Sequence, residues 1–579
     1  MRELESAGTM EMELALIDGN GPFFRGYEKR RINWSKIPFA WLAEADARRW
    51  AEIGDDLALL AGRVRELGYN GLTLDDVAHL VDHPWYEPEV RGQIGRFREG
   101  FRRLFARVRA AGLRVYVTSD YLATSPAIDA RLAGREVGAV EWFREMVERF
   151  LEEFPEVEGV VLRIGESDGV DVRDPLRSRI LLKTADQVNR MLRTLLPVFE
   201  KAGRRLIFRT WTVGSYLIGD MIWNRGRLGH AMRGIDSPAF VLSMKYGESD
   251  FFRYLPLNRQ FFRLDVPKII EFQARREYEG AGEYPSFIGW DCERYARELA
   301  GARNVIGFSV WCQTGGWHGF RRLAFLQPEA VWIELNVAVA ARVLIDRMAV
   351  EDAVAGIFGA ERAREALEFL RLSEGVIREL LYIEEFARLQ LFFRRVRIPP
   401  LIHVYWDCVF VNDPVREVVR HLVRDPERAI REGEAAFEHF GRMEVLAERL
   451  GLPVGDVRFM RDTFGLVLLA RRYYLLPPDP ELRERIRAAK KAYKLAWPRS
   501  VRSRYRIKTG FEPFPLKRRT FSWLMRLLVR RRQGYRTVLD RLFTLNVLSW
   551  CYRIFHRRHE EAMPKFLRKS AMGVESLFR

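Results

Sequence analysis

Residues 239–280 read AFVLSMKYGESDFFRYLPLNRQFFRLDVPKIIEFQARREYEG. Two short apolar runs, 239–246 and 266–272, each pass directly into charged residues. Neither run alternates apolar with polar, which suits a parallel strand covered on both faces. Six more runs of this kind lie on either side: 13–17 (ELALI), 69–75 (YNGLTLD), 113–119 (LRVYVTS), 158–165 (EGVVLRIG), 205–211 (RLIFRTW) and 304–311 (NVIGFSVW). Amphipathic stretches fit helices at about 54–67, 93–111, 138–154, 176–202 and 291–301. Eight strand–helix units over residues 12–317 predict an α/β chain folded as a (β/α)8 TIM barrel. A doubly wound open sheet would be expected to carry G-x-G-x-x-G after an early strand, and none stands there.

From about 326 onward the periodicity is helical, at 329–347, 360–372, 374–390, 414–424, 426–450 and 456–475. Pro399-Pro400 and Pro477-Pro478 interrupt it, and LIHVYWDCVF (401–410) reads as a strand or extended loop. Three parts are therefore expected: a catalytic barrel over 1–325, a mostly α-helical C-terminal region over 326–480, and a basic helical extension over 481–579. The formal net charge is +18 for 579 residues. Residues 481–579 hold 27 Lys and Arg against 7 Asp and Glu, so the excess lies there and the rest is close to neutral. Two readings fit KRRTFSWLMRLLVRRRQGYR (517–536). One is a cationic layer whose arginine stems pack on apolar surface. The other is contact with nucleic acid or an anionic membrane. The first is the expectation. Large apolar helices would also suit a homo-oligomer.

Four scattered cysteines without a C-x-x-C argue against a disulfide scaffold or zinc ribbon and for a reducing compartment. The acidic N-terminus is unlike a secretory signal, and no apolar run spans a membrane, so a cytoplasmic protein is expected.

Barrel chemistry collects where strands end. The eight runs end in Asp75-Asp76 near His79, in Ser119-Asp120-Tyr121, in Glu166-Ser167-Asp168, in Arg209 and Trp211, in Lys245 through Asp250, in Glu271-Phe272-Gln273, and in Trp311 and Gln313 before Trp317-His318. Paired carboxylates can act as acid and base on an acetal, aromatic faces stack on sugar rings, and cations hold an anionic group. The pattern predicts a glycosidase with an acidic oligosaccharide as its substrate. Arg163 and Asp120 join Arg209, Lys245, Trp211 and Trp311 as candidate substrate contacts. His79 and His83 could be read as metal ligands, but the nearby carboxylates are expected to cap the next helix. No metal and no cofactor is expected.

Several of these segments resemble glycoside hydrolase family 67, the α-glucuronidases, over roughly residues 12–320. Asp18-Gly19 with Arg25-Gly26-Tyr27 is similar to that family's pattern after its first strand. Glu166 is similar to its acid glutamate, and Arg209 to its strand-five arginine. Lys245-Tyr246-Gly247-Glu248-Ser249-Asp250-Phe251 is similar to its Lys-x-Gly-x-x-Asp-Phe. Glu271-Phe272-Gln273 with Glu277-Tyr278 and Gly280 is similar to its Glu-Phe-Gln and trailing Glu-Tyr-x-Gly.

The resemblance implies an exo-acting enzyme that removes a uronic acid or related sugar with inversion. Glu166 would be the general acid, Asp250 and Glu271 would activate water, and Arg209 and Lys245 would contact the uronate. An inverting pair needs carboxyl groups about 6.5–9.5 Å apart. One departure stands out. Leu162 occupies the position of a family lysine, and its neighbour Arg163 replaces that lysine only if a bulge shifts the strand's phase. Two alternatives remain. One is a retaining glycosidase with Glu166 as acid/base and Glu271 as nucleophile. The other is a non-catalytic carbohydrate- or nucleic-acid-binding protein on the same scaffold.

Overall fold

The computed structural model describes residues 12–27, 37–164, 174–211, 221, 226–312, 322–392, 397–398, 408–511, 523 and 529–530. Eight parallel strands close a barrel: β1 Leu14–Asp18, β2 Gly71–Asp75, β3 Arg114–Asp120, β4 Val157–Arg163, β5 Arg205–Arg209, β6 Phe240–Lys245, β7 Lys268–Gln273 and β8 Val305–Trp311. Each pairs with the next in sequence, and β8 returns to β1. The closure needs a glycine, because a Cβ at Gly307 would lie 1.9 Å from the Leu14 carbonyl oxygen.

The two-residue period of a strand sorts the side chains. One set faces inward and stacks as an apolar floor of Leu14, Leu16, Tyr116, Val161, Ile207, Val241 and Ile269. The alternate set, including Leu72, Val117, Leu162, Phe208, Met244 and Phe308, packs against the surrounding helices. Those helices include Ala47–Glu66, Pro88–Ala110, Glu136–Glu153, Ala185–Ala202 and Gly289–Glu298. Helix Ala185–Ala202 shows why they form. Thr184 accepts from the Gln187 N–H while the Gln187 side chain returns to the Thr184 N–H. Val188, Met191, Leu192, Leu195 and Phe199 repeat at helical spacing on its buried face, and Gly203 ends it at φ 63°.

Beyond the barrel the described chain is mostly helical, with Val331–Leu344, Ala363–Val376, Pro426–Leu450, Val454–Leu475 and Pro480–Ala496 as its long elements. Buried polar contacts fasten it to the barrel. Asp456 accepts from Arg322 at 2.7 and 3.0 Å and from the Trp332 indole at 2.7 Å. Asn336 accepts from the Ile288 N–H and donates to the Ala274 and Ser286 carbonyls.

Two helical expectations need correction. The stretch 176–202 opens with a short strand, Arg177–Ser178, paired antiparallel with Ala123–Thr124, and becomes helical only at Ala185. The stretch 374–390 is not one helix. A π-helical turn at Ile377–Leu381 leads to extended Tyr382 and Ile383, and a single turn follows at Glu384–Ala387. The cause is tertiary: buried Arg471 donates to the carbonyls of Leu380 and Tyr382, both at 2.7 Å, and so takes oxygens that a continuing helix would use. Within 401–410, residues 401–407 lie outside the described residues and a strand runs over Cys408–Asn412. Pro399-Pro400 and nearly all of 517–536 also lie outside them. Among the described residues no helix is long and apolar enough to cross a membrane.

Candidate active site at the barrel mouth

Above the apolar floor the inward-facing period continues as polar residues. Asp120, Arg163, Arg209 and Ser243 are register partners along β3, β4, β5 and β6, and Lys245 pairs in register with Glu271. Trp311 lies opposite Gln273. Of the sequence-predicted residues, Asp120, Arg163, Arg209, Lys245, Glu271 and Trp311 thus share one end of one barrel, with Trp211 and Asp250 in the loops just beyond. Glu166, Gln313, Trp317 and His318 lie outside the described residues. The phase at β4 is now explicit. The pairing with β3 passes from Val115↔Val157 to Tyr116↔Gly159, so Glu158 is an extra residue, and Arg163 rather than Leu162 faces inward.

The cations here are paired. Arg209 grips Glu271 with two hydrogen bonds, Nε to Oε1 at 2.9 Å and Nη2 to Oε2 at 2.8 Å, and Ser243 Oγ donates to Oε1 at 2.6 Å. Burial pushes the Glu271 carboxyl up, but Arg209 and these hydrogen bonds outweigh it and hold the group below its ordinary value. Lys245 Nζ is ion-paired with Asp250. The Asp250 carboxylate also accepts from the Phe251 N–H at 2.9 Å and the Tyr278 hydroxyl at 2.7 Å. Arg163 Nε lies 2.8 Å from Asp120 Oδ1, and the Ser178 hydroxyl donates to Asp120 Oδ2. The two tryptophans serve these cations. Arg209 lies 4.3 Å from the Trp311 ring centre, and Lys245 Nζ lies 3.9 Å from that of Trp211 and 4.2 Å from that of Phe251.

One acid differs from all of these. Glu277 is on the loop after β7, pinned by Gln273, which accepts from its backbone N–H at 2.7 Å and donates to its Oε2 at 3.1 Å. Its Oε1 is buried and has no hydrogen-bond partner among the described residues. Burial, and then the negative charge of Asp250, push its carboxyl up to about 8. It therefore carries a proton at neutral pH beside an ion-paired carboxylate. The sequence reading quoted Glu277 within a motif but gave it no role. The available signal was its place six residues beyond Glu271, on the loop rather than on the strand.

The loop is rigidly held. Arg253 and Arg276 pair with buried Glu279, and although burial raises that carboxyl, the two guanidiniums bring it down to about 2. Other sequence candidates do different work. Arg25 forms a bidentate pair with Asp56 at 2.5 and 2.8 Å. His79 stacks on Phe39 with ring centres 4.7 Å apart. His83 accepts the Trp85 N–H at 3.1 Å.

A cleft of about 50 Å³ opens beside these groups, lined by Lys245, Asp250, Phe251, Glu271 and Gln273. A void of about 10 Å³, room for no more than a water, lies among Asp18, Thr73, Ser243 and Trp311. Such an arrangement can bind a small polar molecule and hold its charge against the fixed cations that line the cleft, with Glu277 buried behind Gln273 rather than in the lining.

No protein-family model and no curated protein matches the sequence. Solved structures with a similar backbone include a GH138 enzyme targeting pectin rhamnogalacturonan II, at 14% identity and TM-score 0.48, covering 86% of this chain and 76% of that one. A Thermobaculum terrenum O-GlcNAc hydrolase is 10% identical with TM-score 0.37, covering 76% and 86%. The 3-keto-D-glucoside 4-epimerase YcjR from E. coli is 15% identical with TM-score 0.29, covering 49% and 94%.

Proposed function

We propose that this chain is a glycoside hydrolase that removes a uronic acid or related sugar from an oligosaccharide. The observation that carries the reading is the pair formed by Asp250, bound to Lys245, and Glu277, neutral and with one buried oxygen unpartnered. Asp250 accepts a proton from the attacking water, and protonated Glu277 donates a hydrogen bond to that water or to a sugar hydroxyl. Glu166, two residues beyond the last described residue after β4, is proposed as the acid that protonates the leaving oxygen, which gives inversion.

Glu271 takes a different part in this proposal from the one expected on sequence. The bidentate Arg209 and the Ser243 hydroxyl depress its basicity. It is better suited to fixing Arg209 than to activating water or attacking an anomeric carbon. Arg209 spends Nε and one Nη on Glu271. Its remaining Nη is proposed to meet the sugar carboxylate, with Trp311 stacked on the guanidinium.

The test is a hydrolysis screen over uronic-acid-terminated and neutral oligosaccharides, with proton NMR of the first product. The expected result is turnover of a uronide with inverted configuration, abolished by Asp250→Asn. A retained configuration contradicts the roles given to Asp250 and Glu277. Binding without turnover of any glycoside contradicts the hydrolase reading itself.

A further inference from the structure

A second and larger concavity adjoins the cleft. It is a groove of about 1190 Å³, open to solvent, between the barrel and the helical region, and it shares Arg253, Asp291 and Arg294 with the cleft. Its barrel wall includes helix Gly289–Glu298 and its far wall includes helix Ala363–Val376 with the π-helical turn behind it. Six arginines and four carboxylates line it. Two of the carboxylates are already committed. Asp291 binds Arg276 and Arg294 at 3.1 and 3.0 Å, and Glu374 binds Arg253 at 2.9 Å while accepting the Phe287 N–H. A third, Glu384, is paired with Arg388 at its exposed edge, and the fourth, Glu293, accepts the Val350 N–H at 3.4 Å.

The remaining cations face water. Arg297 is exposed, and no ion pair to it is found among the described residues. Arg371 and Arg378 hold Glu351 and Glu379 only in exposed pairs, at 3.1 and 2.9 Å, which an incoming anion displaces at little cost. Aromatic surface lies among them: Arg371 is 6.0 Å from the Trp290 ring centre and Arg388 is 5.2 Å from that of Tyr254. Guanidiniums set on aromatic faces along an open trough suit a chain of carboxylate-bearing rings.

We infer that this groove is the leaving-group site, and that the oligosaccharide it holds is itself polyanionic, a run of uronic acid residues. The inference rests on the hydrolase reading for its direction. Because groove and cleft share Arg253, Asp291 and Arg294, a chain lying in the groove ends beside the cleft, which would take its terminal sugar.

The test is binding, so that it stands apart from turnover. Titration calorimetry on the full chain would use a hexamer of galacturonic acid, a neutral maltohexaose and a short single-stranded RNA. In Arg297→Ala/Arg371→Ala/Arg378→Ala the hexagalacturonate affinity should fall about tenfold, with maltohexaose unchanged. The wild-type affinity should also drop steeply toward 1 M salt, where screening acts within about 3 Å. An affinity for hexagalacturonate that the triple variant leaves unchanged overturns the inference. So does RNA binding that depends on these arginines when hexagalacturonate binding does not. If hexagalacturonate binds through the arginines but no uronide is ever hydrolysed, the groove stands and the hydrolase reading falls.

Discussion

The end of β7 and the loop behind it carry two buried glutamates in opposite electrical states. Glu271, on the strand, meets Arg209 across the barrel, a contact between positions 62 apart in the chain, and is held ionised. Glu277, on the loop, meets an amide and the charge of Asp250, and is held neutral. Burial pushes both carboxyls the same way, so the neighbours decide. A matched ion pair fixes geometry, whereas a buried acid with no cation bound to it and a carboxylate nearby keeps a proton to give or share. The mouth therefore divides into a framework of settled pairs and one group poised for proton transfer.

The most forceful way to break this contrast is to remove the poised side. Asp250→Asn and Glu277→Leu should each lower kcat about 100- to 10,000-fold on the uronide found by screening, while near-ultraviolet circular dichroism stays unchanged; Glu277→Gln, which keeps a neutral donor, should lose less. If Glu271→Gln abolishes turnover while Glu277→Leu leaves it intact, the two roles are reversed.

The framework side should fail in stability. Arg209→Met leaves Glu271 buried without its counter-ion and should cost about 3–5 kcal/mol in denaturant unfolding. The double change Arg209→Met/Glu271→Leu should recover most of that, because an apolar pair needs no compensation. A single variant as stable as the wild type would dissolve the distinction.

A pH series sharpens it further. The folded state holds the Glu277 proton up to about pH 8, whereas an unfolded glutamate releases it near ~4.3. The folded state thus binds the extra proton, so its stability falls as pH rises from the unfolded value through about 8. Glu277→Gln should remove that slope and gain on the wild type by at most a few kcal/mol at the alkaline end, as read by urea unfolding across pH. Glu271 has the opposite sign. Its pair stabilises above the unfolded value and is lost as pH falls through the lowered one. The smallest effect is expected from Tyr278→Phe. It removes one donor from Asp250 at a cost of about 1 kcal/mol, and should lower kcat several-fold without changing the substrate preference.

Strand patterning made the barrel legible. Each of the eight apolar runs overlaps a barrel strand, because a strand covered on both faces writes its burial into consecutive residues. The polar tops of those runs were equally readable, since a two-residue period carries Tyr116 to Asp120, Val161 to Arg163 and Ile269 to Glu271 on one face. Partners across space were not readable. Helical periodicity runs on through 374–390, yet a guanidinium from Arg471 ends the helix there. Glu271 stands in the position of a catalytic strand-end acid, and only its pairing with Arg209 and Ser243 shows how far its oxygens are committed. The proton on Glu277 depends on burial and on a charge 27 positions away, neither of which local sequence displays.

Carboxyl-labelled glutamate NMR tests the central claim most directly. Comparing the full chain with its Glu277→Gln variant across pH assigns one carbon-13 resonance to Glu277. A titration midpoint near pH 8, moving toward the ordinary range in Asp250→Asn, is the result this structure predicts. A midpoint near ~4.3, indifferent to Asp250, would show an ordinary carboxylate and contradict the account.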